Sequence, residues 1–139
     1  MLKDYIVVDL EMTGLNPKRD HILEIGAVKV KDKEVQSTFS VLIRQETPLD
    51  ERIVQLTGIT DEMASAGGEM DAAVSSFLEF AEDFTWVGHN VMFDYSFVKQ
   101  WEANHRIKRI CYGVDTLKIA RKCLPDLEKK TLDFLCEHY

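Results

Sequence analysis

The hydrophobic period changes once along this chain, and that change constrains its fold more than any other feature. Apolar residues in the first third recur with the period of strands. Residues 5–11 form a short apolar run, and 22-ILEIGAVKV-30 is apolar on both faces at first, then solvated at Lys29 and Lys31, as a central strand would be. Val35, Ser37, Phe39, Val41 and Ile43 alternate with mainly polar neighbours, which is period two. The polar link 31-KDKE-34 is short enough to make the second and third strands an antiparallel hairpin. Past residue 50 the spacing turns helical. Ile53, Val54 and Leu56 predict a short helix stopped at Gly58. Met70, Ala73, Val74, Phe77, Leu78 and Ala81 predict a longer one. Residues 84–88 read as a strand, Phe93 to Trp101 as a helix, and residues 110–114 as a last strand. Asp115 can cap a helix ended by Pro125, and another helix begins after Thr131. Strands first, then strands alternating with helices, predict one α/β domain over residues 1–139 with a mixed sheet.

Composition narrows the function classes. No apolar run approaches membrane-spanning length, and the N-terminal apolar stretch is too short for a signal peptide. Three cysteines without metal spacing predict reduced, mostly buried thiols and a cytoplasmic setting. A net charge of −7 argues against a broad basic field for nucleic acid. It leaves room for a small site in which bound cations offset acidic side chains.

Two stretches carry candidate chemistry. In VVDLEMTGL, Asp9 and Glu11 lie two residues apart at the carboxyl end of the first strand, so both side chains face one way. Open α/β sheets bind ligands beyond that end of their strands. Two like charges held together call for a proton or a cation, and hard divalent cations prefer carboxylate oxygens. In GHNVMFDYSFV, Gly88 closes a short strand, His89 and Asn90 follow, and Asp94 lies in the first turn of a helix. Simpler roles exist for each residue: a solvated strand end for the pair, a favourable helix-dipole position for Asp94, a loop hydrogen bond for His89, and core packing for Phe93.

Taken together, the two stretches resemble the first and second motifs of the DEDD exonuclease superfamily, enzymes with a ribonuclease H-like fold. ILEIGAV, LTGIT and DTLKIAR resemble further parts of the same family at the expected places. The resemblance implies a ribonuclease H-like mixed sheet of about five strands, the first three antiparallel and the rest parallel additions, flanked by helices. It implies a 3′–5′ exonuclease that holds two Mg²⁺ or Mn²⁺ ions and releases 5′-mononucleotides from single-stranded DNA or RNA. Asp9 would be shared by both ions, Glu11 would bind one, and Asp94 would face the second. Thr13, Gly14 and Leu15 would lie against the terminal nucleotide, with His89, Asn90 and Phe93 on its other side. The implied partners are a nucleic-acid 3′ end and, beside it, a DNA polymerase or a second copy of the chain. The third motif, with its general-base His and fourth Asp, has no counterpart here; the only later His is His138. The apolar pattern is still running at Tyr139, so a truncated domain is expected. Two alternatives stand beside the exonuclease: a non-catalytic module of the same fold, which binds nucleic acid or a partner, and a haloacid dehalogenase-like phosphatase.

Overall fold

A computed structural model describes residues 2–139. Strands β1 (Tyr5–Met12), β2 (Ile22–Lys31) and β3 (Glu34–Leu42) form an antiparallel meander. The β2–β3 turn places Asp32 and Lys33 at φ 51° and 69°, the left-handed pair that a tight hairpin matching the sheet twist requires. Strands β4 (Thr85–Gly88) and β5 (Gly113–Asp115) add in parallel on the other side of β1, giving the order β3-β2-β1-β4-β5. The mixed ribonuclease H-like sheet is therefore present. β2 is an interior strand, paired with β1 and β3, as its two apolar faces predict, and β1 is the middle of the five.

Alternation along β1 divides the two faces of the sheet. Ile6, Val8 and Leu10 are buried beneath α3 (Met70–Ala81) and α4 (Val91–Asn104), in one core with Val74, Phe77, Trp86 and Val98. The Phe77 and Trp86 rings meet edge-on at 5.2 Å, a favourable geometry for their quadrupoles. Val7, Asp9 and Glu11 take the opposite face, where Val7 keeps 39% of its surface. A smaller cluster of Leu23, Ile59 and Ala64 sits under α1 (Glu51–Thr57) and α2 (Asp61–Ser65).

Several elements depart from the expectations. The five-residue α2 was not anticipated; it is shorter than two helical turns and shows no period, although Thr60 Oγ1 caps it by accepting from Met63 N. Leu56, one of three residues that predict α1, is exposed. β5 begins at Gly113 rather than at residue 110. The preceding segment is held by α4 instead: Ile107 N donates to Glu102 O, and Arg109 Nε to Glu102 Oε1 at 2.6 Å. The cysteines are free, but Cys123 and Cys136 are exposed. They lie on α5 (Thr116–Cys123) and α6 (Leu132–His138), which bury only Ala120 between them. Among the described residues, no helix is long and apolar enough to cross a membrane.

Candidate active site

Three carboxylates gather where β1 ends and α4 begins. Asp9 and Glu11 share the uncovered face of β1. Asp94 comes from the first turn of α4, is buried, and accepts a hydrogen bond from Leu10 N at 3.1 Å. That bond ties α4 to β1 midway between the other two acids. Glu24, opposite Glu11 in the β1–β2 register, is a fourth acid that the sequence reading overlooked. Its signal was there: a lone Glu inside the apolar ILEIGAV.

The electrostatics are those of uncompensated negative charge. Asp94 is pushed up to about 7, mainly by burial and then by the charges of Asp9 and Glu11, with the Leu10 N–H pulling the other way. Burial raises Glu11 as well, helped by Asp9 and Glu24. Loss of hydration raises Asp9. Among the described residues no Lys, Arg or His forms an ion pair with these three acids. The all-oxygen donor set suits Mg²⁺ or Mn²⁺. Yet no group of three or more His, Cys, Asp or Glu among the described residues stands close enough to cage an ion. The donors fit such an ion in kind, without closing around one.

The loop after β1 is held shut. Thr13 N donates to His21 O, and Thr13 Oγ1 accepts from His21 N, both at 2.9 Å. Asp20 accepts from Asn16 N and crowds Gly14, where a Cβ would fall 2.4 Å from the Asp20 carboxylate. A side chain there would have to push that carboxylate, and with it the Asn16 N bond, aside. Leu15 projects from this closed loop with 81% of its surface in solvent.

Around the β4–α4 junction the expected residues do different things. Asn90 adopts φ 63° at the start of α4, and its side chain makes no cap bond. The His89 ring is occupied at both nitrogens, by Thr116 Oγ1 at 3.1 Å and by Lys130 O at 2.7 Å. It joins the junction to α5 and to the approach to α6. Phe93 is partly buried and packs edge-on against Phe97 at 5.5 Å. Asp115, expected only as a cap, accepts from Leu117 N and also from Asn90 N, each at 2.9 Å. It thereby locks the start of α5 to the start of α4. His138 stacks on Phe134 and meets the Tyr139 ring edge-on.

Comparison with known proteins bears on the fold and the family. The RNase T-type exonuclease family model matches residues 6–139. A DNA polymerase III PolC-type of Caldanaerobacter subterraneus subsp. tengcongensis is 35% identical over 136 residues, covering 98% of this chain and 10% of that protein. The corresponding protein of Latilactobacillus sakei subsp. sakei is 36% identical over 137 residues, covering 98% of this chain and 10% of its own length. The chain thus spans about a tenth of these relatives. In structure it is similar to product-bound exonuclease I, with a TM-score of 0.76 at 19% identity over 91% of this chain and 33% of that one. An E. coli exonuclease I in complex with a dT13 oligonucleotide gives a TM-score of 0.75 at 20% identity, over 89% of this chain and 31% of that one. These structures attest the fold, and the family match, which spans nearly the whole chain, attests descent: the chain belongs to the exonuclease family.

Proposed function

We propose that this chain is a metal-dependent 3′–5′ exonuclease domain that trims single-stranded nucleic acid and releases 5′-mononucleotides. The observation that carries this reading is the set of three carboxylates, Asp9 and Glu11 on β1 and Asp94 at the start of α4, with raised pKa values and no ion-pair partner among the described residues. Such a set is costly unless a cation binds. These three side chains would hold Mg²⁺ or Mn²⁺. Bound there, the metal would lower the pKa of an attacking water and stabilise the departing 3′-oxygen. Leu15, held out by its closed loop, offers an apolar surface to the terminal base. His89, with both ring nitrogens engaged, orients the rim of the site instead of touching substrate. The relatives named as DNA polymerase III, and the exonuclease I structure named with dT13, favour DNA and a polymerase-associated role.

The absence of a ready three-donor cage among the described residues favours one other reading, a nucleic-acid-binding module of the same fold. A 5′-labelled single-stranded oligonucleotide incubated with Mn²⁺ separates the two. Stepwise shortening from the 3′ end, abolished by Asp9→Ala, supports the exonuclease. Binding without shortening supports the module.

A further inference from the structure

The chain carries a net charge of −7, yet one stretch runs the other way. Residues 116–132 hold Lys118, Arg121, Lys122, Lys129 and Lys130 against only Asp126 and Glu128. This basic stretch includes α5 and borders the β4–α4 junction through His89.

A cavity of about 500 Å³ opens there, lined by His89, Asn90, Leu117, Arg121, Thr131 and Leu132, with Lys130 at its edge. That volume is in the range of small-ligand sites. Leu117 and Arg121 are four residues apart on α5 and so face it together. Among the described residues, no hydrogen bond or ion pair engages the Arg121 guanidinium. The Lys130 ammonium, by contrast, is spent on the carbonyls of Leu127 and Pro125. His89 pins the walls by joining Thr116 Oγ1 to Lys130 O, so the cavity does not have to be assembled when a ligand arrives. Its lining includes no carboxylate. The cavities beside His105 and beside Arg44 include Asp20 and Asp71, and Glu46 and Glu69, which would repel an anion.

We propose that this cavity takes an upstream nucleotide of the substrate strand, with Arg121 on its internucleotide phosphate and Leu117 and Leu132 against its base and sugar. A planar guanidinium matches two phosphate oxygens at once. The leucines supply apolar contact that any base can use, and the free Asn90 side chain offers a donor and an acceptor beside them. The acidic chain thereby gains its grip on a polyanion at a cavity whose lining residue Asn90 opens the helix that carries Asp94. The assignment rests on the exonuclease reading for the polarity of the strand, but not for the binding itself.

The test is fluorescence anisotropy of labelled dT8 on the full chain, with Ca²⁺ to slow turnover, across a series of KCl concentrations. Arg121→Gln should weaken binding roughly tenfold, the effect of one lost charge-assisted hydrogen bond. The slope of log affinity against log salt should fall by about 0.7, as one phosphate contact is lost from a single strand. Arg121→Lys should keep the slope. Lys99→Gln, which removes the same charge from an exposed position on α4, should change neither quantity. Competition by dTMP, which has no upstream phosphate, should be as strong in Arg121→Gln as in the wild type. Four results overturn the subsite: no dT8 binding by the wild type, an unchanged slope in Arg121→Gln, an equal loss in Lys99→Gln, or an equal loss of dTMP. Shortening of dT8 in Mn²⁺ is scored separately. Shortening that is indifferent to Arg121 rejects the subsite and keeps the exonuclease. Arg121-dependent binding without shortening keeps the subsite and rejects the exonuclease.

Discussion

Replacing Asp94 by Asn should make the metal-free protein more stable, and more so at high pH. Asp94 is buried and still accepts from Leu10 N, a role an amide oxygen can take over. Its carboxyl pKa is raised from the ordinary 3.8 to about 7. Below 3.8 the folded and unfolded chains are both protonated, and the group costs nothing. Between 3.8 and about 7 the unfolded chain gives up the proton while the folded chain keeps it, so stability falls as pH rises. Above 7 the folded chain carries a buried charge. At ~1.4 kcal/mol per pH unit, the full cost is up to ~4 kcal/mol. Roughly 1–2 kcal/mol of that accrues between pH 6 and pH 9.

Urea melts in chelator at pH 6 and pH 9, on the wild type and Asp94→Asn, measure this directly. Titrating groups that do not couple to Asp94 cancel in the difference, while Asp9 and Glu11, whose charges act on Asp94, are relieved in the variant and add to the gap. The variant should be the more stable at both pH values, with a gap that widens toward pH 9. Adding Mn²⁺ should close the gap by stabilising the wild type alone. A variant less stable than the wild type by the same amount at both pH values would refute the reasoning. Asp94 would then be a structural acceptor whose charge the fold tolerates.

Other perturbations test other parts of the site. In calorimetry with Mn²⁺, Asp9→Ala should lose most of the heat seen with the wild type; equal, weak binding by both would dissolve the metal assignment. Asp115→Ala leaves Asn90 N and Leu117 N without their acceptor and should cost ~2 kcal/mol in a denaturant melt, at the upper end for a helix cap. Gly88→Ala places a Cβ 2.7 Å from Val8 O and 3.1 Å from Val91 Cβ, so it should cost ~1–3 kcal/mol and weaken Mn²⁺ binding by shifting the start of α4. The His105 pKa is raised by the Trp101 carbonyl first and then by Asp71, so its contribution to stability is present below 6.5 and lost as pH rises through the folded value. NMR titration of His105 should show that value falling in Asp71→Asn.

Legibility in the sequence followed element length and burial. The three-strand meander, α3 and α4 are long enough to show their period, and their bounds fall within a few residues of those expected. Elements without a period leave no such mark in the sequence. α2 is a single capped turn, and β5 lies where Arg109 and Glu102, not alternation, decide which residues reach β4. Asp9, Glu11 and Asp94 were legible as charges in apolar surroundings. Two features were not. Nothing in the spacing says that His89 spends both ring nitrogens on residues 27 and 41 positions away, or that Asp115 reaches back to Asn90. Such long-range ties leave no local pattern.

The same physics explains why the acids could be read and why they are hard to keep. A fold stabilised by burying Ile6, Val8 and Leu10 gains nothing from the negative charges of Asp9, Glu11 and Asp94; each has a raised pKa, and among the described residues none has a cationic partner. Removing a charge there should help folding, so stability alone does not account for all three. Asp9 and Glu11 break the strand's apolar rule and Asp94 faces them from α4, while neighbouring devices hold that point still: the Leu10 N–H on Asp94, the Asp115 lock on Asn90, and the closed loop behind Leu15. Stabilising bonds spent on fixing destabilising groups are reasonable only if something absent from the bare chain repays them. A divalent cation would do so for the carboxylates. A phosphodiester strand carries its own negative charge, and binding beside the acids would add to their repulsion. Metal and strand should therefore bind with positive cooperativity, each relieving what the other would otherwise face alone. The measurable form is dT8 affinity that rises with Ca²⁺ in the wild type and is flat in Asp9→Asn; an equal rise in both proteins would place the ion elsewhere.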